Sequence, residues 1–121
     1  MREKHRYILV RSSESIKALL GSGYTADTGK EFSKLINRYM LFELGDVHYS
    51  DSNPQVAAIL DDKTFILKVL LKGFKDSVVG LAFINKVNNI PISFITLKSS
   101  GTIKSIKEYY KSRFAELPAQ N

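Results

Sequence analysis

The chain has 121 residues, 44% of them apolar and 25% charged, with 7 Gly, 3 Pro, 6 Tyr and 7 Phe; this is the size and make-up of a single domain, residues 1–121, and excludes both a two-domain chain and wholesale disorder. No apolar run approaches the ~18 residues of a membrane span, and the run after Met1 to Arg6 is too short for a signal peptide, so a soluble, intracellular protein without a membrane partner is expected. Lys and Arg exceed Asp and Glu by 18 to 12, and the excess is uneven: residues 1–42 carry a net +4, residues 43–62 a net −5 and residues 63–113 a net +8, a pattern that suits a polyanion such as nucleic acid, although solubility alone also accounts for a lysine-rich surface.

In chain order, Arg6 to Arg11 is a β-branched and aromatic run that reads as a strand. Ser12-Ser13-Glu14 then offers a cap to a brief helix with Ile16, Leu19 and Leu20 on its apolar side, stopped by Gly21-Ser22-Gly23. Residues 24–28 read as a loop. From Gly29 the apolar positions Phe32, Leu35, Ile36, Tyr39 and Met40 recur every three or four residues, which predicts a long amphipathic helix ending near Gly45-Asp46. Residues 43–54 are expected to form an acidic loop closed by Pro54.

Gln55 to Leu60 and Thr64 to Leu71 predict an antiparallel hairpin about Asp61-Asp62-Lys63. Lys75-Asp76-Ser77 opens a helix through Val87, ended by Asn88-Asn89, and Ile92 to Leu97 predicts a fourth strand. Ser99 to Thr102 opens a last, basic amphipathic helix over 102–116, with Ile103, Ile106, Tyr110 and Phe114 on its stripe and Pro118 as its stop. The order β-α-α-β-β-α-β-α is an α+β class: a four-stranded mixed sheet in the ferredoxin-like, RNA-recognition-motif-like split β-α-β arrangement, with an added second helix and a C-terminal helix. Phe65, Leu67 and Val69 alternate with Ile66, Lys68 and Leu70, and Ile8 and Val10 with Tyr7, Leu9 and Arg11, so both faces are apolar enough to be covered.

Chemistry concentrates at Lys98-Ser99-Ser100-Gly101-Thr102-Ile103-Lys104. A helix start offers unpaired N–H groups, the hydroxyls add donors, and Gly101 lets a phosphate approach the backbone; the same residues also suit an ordinary cap. Lys104, Lys107 and Lys111 follow at i, i+3 and i+7, expected opposite the apolar stripe and, with Lys98 and Arg113, as one basic ridge partly paired by Glu108. Tyr110 belongs to the stripe and Tyr109 is the freer ring. Cysteine is absent, which removes disulfides, thiolate metal sites and cysteine nucleophiles. His5 and His48 have no second ligand at helical or hairpin spacing, and no nucleophile-elbow, Walker or His-Glu pattern occurs, so no catalytic residue, metal site or cofactor is expected on the chain. Asp61-Asp62 is explained by turn propensity.

Lys4-His5-Arg6-Tyr7-Ile8-Leu9-Val10, Leu44-Gly45-Asp46, the strand from Thr64 to Val69 and above all Ser100-Gly101-Thr102-Ile103-Lys104 resemble the ribonuclease P protein component 2 family, the small protein subunits of archaeal and eukaryotic ribonuclease P and of ribonuclease MRP. The resemblance runs from about residue 4 to about residue 111. It departs from the family at Lys68, where an arginine is usual, so a point charge replaces a bidentate phosphate contact, and in a less glycine-rich segment after Gly45-Asp46. It implies a non-catalytic subunit of a ribonucleoprotein endoribonuclease, supporting a catalytic RNA that removes the 5′ leader of precursor tRNA with Mg²⁺ held on the RNA. It further implies contact with precursor tRNA through that RNA, partnership with ribonuclease P protein component 3 and other protein subunits, and assembly into a heterotetramer. The location would be cytoplasmic in an archaeon and nuclear or nucleolar in a eukaryote. The RNA-binding residues expected are Lys4, Arg6, Arg11, Lys68, Lys72, Lys98, Ser99, Ser100, Gly101, Thr102, Lys104, Lys107 and Lys111, and Leu41 and Phe42 are left over for a partner surface. Two rivals are weaker. An acylphosphatase-like hydrolase needs a phosphate loop after the first strand, where Arg11 is followed by a cap; a free-standing single-strand RNA binder needs open-face aromatics, of which only Tyr7 is present.

Overall fold

The computed structural model describes residues 4–21 and 28–115. The elements are β1 (His5–Ser12), α1 (Ile16–Leu20), α2 (Thr28–Ser52), β2 (Gln55–Asp61), β3 (Thr64–Leu70), a 3₁₀ turn (Leu71–Gly73), α3 (Phe74–Phe83), β4 (Lys86–Val87), β5 (Ile90–Pro91), β6 (Phe94–Ser100), α4 (Ile103–Tyr110) and a wide π turn (Lys111–Ala115). The main sheet has the order β2-β3-β1-β6, and every neighbouring pair is antiparallel. This corrects the expected mixed sheet. In a split β-α-β arrangement β1 and β2 run the same way, but β3 lies between them and opposes both, so no two parallel strands touch.

The two-residue alternation of the strands sorts the core. Ile8, Val10, Phe65, Leu67 and Val69 turn toward Phe32, Ile36 and Met40 of α2 and Leu81 of α3. At its centre the Phe65 ring stands edge-on to Phe32 at 4.9 Å and to Phe94 at 5.9 Å, the geometry aromatic quadrupoles favour. On the other face Leu9 and Ile66 lie under Ile106 of α4, all three fully buried. Both faces are therefore covered, and α4 closes the one that an open RNA-recognition motif would leave bare.

Several boundaries differ from the sequence reading. The acidic loop expected at 43–54 is mostly helix: α2 continues to Ser52, interrupted at Gly45, whose φ of 78° and ψ of 169° are non-helical. Glycine allows that left-handed break, but the helix restarts at once because Tyr49 packs on the core and Ser52 is buried against Ser77. Tertiary packing overrides the polar, loop-like composition. The cap of α1 is Ser15, which accepts from the Ala18 N–H at 3.0 Å, while Ser12 ends β1. The third helix stops at Phe83 rather than Val87, because Asn88 and Asn89 take left-handed φ angles of 50° and 66° and turn the small β4–β5 hairpin, as two asparagines in a tight hairpin do. The terminal helix expected over 102–116 is α4 plus the π turn; the side chain of Phe114, Pro118 and the expected loop residues 24–27 lie outside the described residues, and Thr28 opens α2. Among the described residues no helix is long and apolar enough to cross a membrane.

Candidate nucleic-acid interface

The fourth strand runs three residues further than its sequence suggests, so Lys98, Ser99 and Ser100 belong to β6 and pair with Leu9, Ile8 and Tyr7. Only Gly101 and Thr102 remain as the turn into α4. Thr102 caps the helix, its hydroxyl accepting from the Ser105 N–H at 3.3 Å, and the Ser100 hydroxyl accepts from the Thr102 N–H at 3.3 Å. Both hydroxyls keep their own O–H for donation. The value of Gly101 is room for a side chain: a Cβ there would stand 3.0 Å from Nη1 of Arg6. Arg6, the residue before the Tyr7–Ser100 pair, thus lays its guanidinium against the turn that starts α4.

A register shift in the β1–β6 pairing between Leu9 and Val10 places two residues of β6, Leu97 and Lys98, toward the α4 side, the usual effect of a bulge. The Lys98 ammonium then lies 5.4 Å from the centroid of Tyr109, and the Arg113 guanidinium 5.2 Å from the same ring. Such contacts position the cations without neutralising them. The single ridge expected from the sequence is therefore two strips, one on each side of α4. Lys98 and Arg113 hold the β6 side. Lys104, Lys107 and Lys111 line an open groove of about 580 Å³ on the β2 side, together with Leu60, Ile103, Glu108 and Tyr110. These lysines flank the apolar stripe rather than oppose it, since at ~100° per residue Lys107 stands only about 40° from Ile103. Glu108 makes no ion pair with them among the described residues, although Lys104 and Lys111 each lie one turn from it.

Lys68 pairs with Tyr7 across β3 and β1, half-buried at the α4 end of the sheet. Lys4 and Lys72 border a shallow hollow with Leu70 and Leu71, and Lys72 is also 3.8 Å from Asp51. Arg11 lies apart, at the far end of β1. Its guanidinium donates to the Thr64 hydroxyl at 2.8 Å and stands 3.9 Å from Asp61, which in turn accepts the Tyr110 hydroxyl at 2.6 Å. The Arg11 cluster fastens α4 to the β2–β3 hairpin. Asp62 accepts from the Lys17 N–H at 3.2 Å, so both carboxylates of the hairpin turn are structural. The structure accordingly gathers Arg6, Lys68, Lys98, Ser99, Ser100, Gly101, Thr102 and Lys104 about the start of α4, with Lys4 near them and Lys107 and Lys111 trailing along the groove. Arg11 and Lys72 are engaged with acids.

Burial first, then the hydrogen bond to Asp61 and that carboxylate's charge, push the Tyr110 hydroxyl up to about 12, against an opposing pull from Arg11. A raised value means that the fold favours the protonated phenol. Its stabilising contribution is complete below the unfolded value near 10 and is lost as pH rises from there through about 12. Ultraviolet titration should show one tyrosine ionising late, and Tyr110→Phe should abolish that late step; a titration unchanged by the substitution would refute the clasp.

The acidic segment is used elsewhere: Asp51 faces Lys72, and Asp61 faces Arg11. Among the described residues none of Lys4, Arg6, Lys68, Lys98, Lys104, Lys107 and Lys111 has an ion-pair partner. No group of three or more His, Asp or Glu able to hold a metal occurs among them either. Away from the basic rim, the outer faces of α2 and α3 expose Phe42 (82%) and Phe83 (66%), with Val79 and Leu41 also exposed. Tyr109 between two cations, and the fit of Arg6 against Gly101, were not visible as contacts in the sequence; an aromatic at the helix end and a glycine beside a basic strand were their only traces.

A comparison with curated proteins finds no match. Among solved structures, a chain of the cryo-EM structure of yeast ribonuclease MRP matches with a TM-score of 0.56 and 8% identity, over 93% of this chain and 95% of that one; the likeness is one of fold. The family model described as RNase P Rpp14, Rpp14/Pop5 family, matches residues 6–111. That span takes in β1 from Arg6 onward, the other three strands of the main sheet, the Gly101 turn and the whole of α4, and the chain belongs to the Rpp14/Pop5 family of RNase P.

Proposed function

We propose that this chain is ribonuclease P protein component 2, a subunit without an active site of its own, which supports the catalytic RNA in removing the 5′ leader of precursor tRNA. The observation that carries the reading is the rim of cations around the start of α4 that have no ion-pair partner among the described residues. In a member of an RNase P family, such a rim supplies what RNA folding lacks: fixed positive charge that lets phosphates pack closely. Mg²⁺ would sit on the RNA, and precursor tRNA would be met through it. The exposed Phe42 and Phe83 surface suits a protein subunit, component 3 in the first instance, and two such pairs would form a heterotetramer. The site of action would be the cytoplasm of an archaeon or the nucleus of a eukaryote.

The test is affinity for the catalytic RNA across a salt series. Each lysine removed from a phosphate contact should flatten the log–log slope by roughly 0.7 to 0.9. Lys107→Ala and Lys111→Ala should weaken binding alike for different RNA sequences, because phosphate contacts position without reading bases. Gly101→Val should weaken it without changing charge, by driving the Arg6 guanidinium from its place. Folded variants with unchanged affinity and slope would remove α4 from the interface.

A further inference from the structure

The register of the main sheet places four side chains in one row across all of its strands. Ser100 of β6 pairs with Tyr7 of β1, Tyr7 with Lys68 of β3, and Lys68 with Gln55 of β2. Directly paired residues share a face. In the next row on that face, Leu9, Ile66 and Ala58 lie under α4 and Lys98 stands exposed at its β6 side. The Ser100–Tyr7–Lys68–Gln55 row lies at the margin of that cover: Tyr7 packs against the Leu9–Ile66–Ile106 cluster yet stays half-buried, as do Lys68 and Ser100, and Gln55 is exposed. Its chemistry is that of a nucleotide seat. Tyr7 offers a ring whose hydroxyl has no hydrogen bond among the described residues, Gln55 offers an amide that can both donate and accept, and Lys68 offers charge with no acid to satisfy it among those residues.

We infer that this row holds one unpaired nucleotide of the bound RNA, its base against the Tyr7 ring and within reach of Gln55, its phosphate at Lys68. The inference rests on the RNA-binding reading and deepens it by naming the RNA element: an extruded or single-stranded nucleotide rather than the backbone of a duplex. A base still paired in a helix cannot present its face to a ring on a sheet. One aromatic in a row of polar groups fits a single base, not the run of bases that a multi-aromatic platform takes. Charge complementarity selects this occupant, since the row is basic and hydrogen-bonding rather than apolar.

The experiment compares the full chain and its variants on a single-stranded RNA oligonucleotide and on a blunt RNA duplex of equal length. Tyr7→Leu should lower affinity for the single strand by about tenfold, the scale of one lost base–ring stack, and leave duplex affinity within twofold. Tyr7→Phe should retain the single-strand affinity, and Gln55→Ala should reduce the preference for one base over another. Should Tyr7→Leu unfold the chain, as circular dichroism would show, amide shifts on adding AMP or UMP decide instead: changes confined to Gln55, Lys68 and Ser100 are expected, and changes elsewhere or none overturn the seat. Equal losses on both RNAs, or no loss on either, also overturn it while leaving the RNA interface intact, provided Lys107→Ala and Gly101→Val still weaken binding. If the unaltered chain binds neither RNA, the wider reading fails.

Discussion

Replacing Gly73 with alanine is expected to cost about 3 kcal/mol, at the upper end of what overpacking a closed site takes. A Cβ on Gly73 would lie 2.4 Å from the Ser52 Cα, 2.5 Å from its nitrogen and 2.8 Å from the Asp51 carbonyl carbon. All three are backbone atoms at the end of α2, so no side chain can swing away to make room. The Gly73 carbonyl also accepts the Ser77 hydroxyl at 2.8 Å, and Ser77 meets Ser52 in turn, both buried. Pushing the 3₁₀ turn outward would strand these hydroxyls without water. Urea unfolding measures the loss. Gly29→Ala is the control: nothing lies within 4 Å of a Cβ there, and its effect should stay within about 1 kcal/mol. Equal behaviour of the two variants would refute the close approach of α2 to the turn.

Phe65→Ala should be the most damaging truncation, with an expected loss of about 3 to 5 kcal/mol. The ring is fully buried, at the centre of the core face, and touches both Phe32 and Phe94 edge-on. Removing it leaves two aromatic neighbours facing a void on rigid elements, α2 on one side and β6 on the other, which cannot collapse together without moving the sheet. Phe65→Leu should cost roughly half as much, because most of the volume is kept. Thermal and urea unfolding monitored together would check both, and a Phe65→Ala loss below about 1 kcal/mol would show that the centre of the core lies elsewhere.

The legible part of this molecule is the part governed by local alternation and periodicity. Ile8 and Val10 against Leu9, and Phe65 and Leu67 against Ile66, assign each strand face correctly from the sequence, because a two-residue period leaves no other way to bury both sets. The basic cluster at residues 98–104 is visible for the same reason: it sits where a strand gives way to a helix. What local pattern does not carry is distance in the chain. Gly45 reads as a stop, and only the burial of Tyr49 and Ser52 against elements that come later explains why the helix resumes. Lys98 reads as a member of the α4 lysine series until the β6 bulge, which depends on pairing with β1, sends it to Tyr109. Arg11 and Arg6 look alike in sequence, yet one is spent on Asp61 and Thr64 and the other lies against Gly101.

The position of β1 has a consequence for how the protein comes into being. It is the first of the main sheet's four strands to be synthesised and an interior one, with partners at residues 64–70 and 94–100. Translated at ~5–20 residues per second, Ile8, Leu9 and Val10 wait on the order of ten seconds before β6 exists to cover their second edge. Throughout that interval at least one edge of a three-residue apolar stretch stands unpaired, the state in which strands recruit foreign edges. The helices made in between cannot relieve it, since α2 packs on residues of β1, β3 and β6 together and that surface is not yet assembled. Nascent chains stalled short of β6 should therefore be held by chaperones and cut readily by proteases, and the domain should become resistant in one step once Ser100 is free of the ribosome.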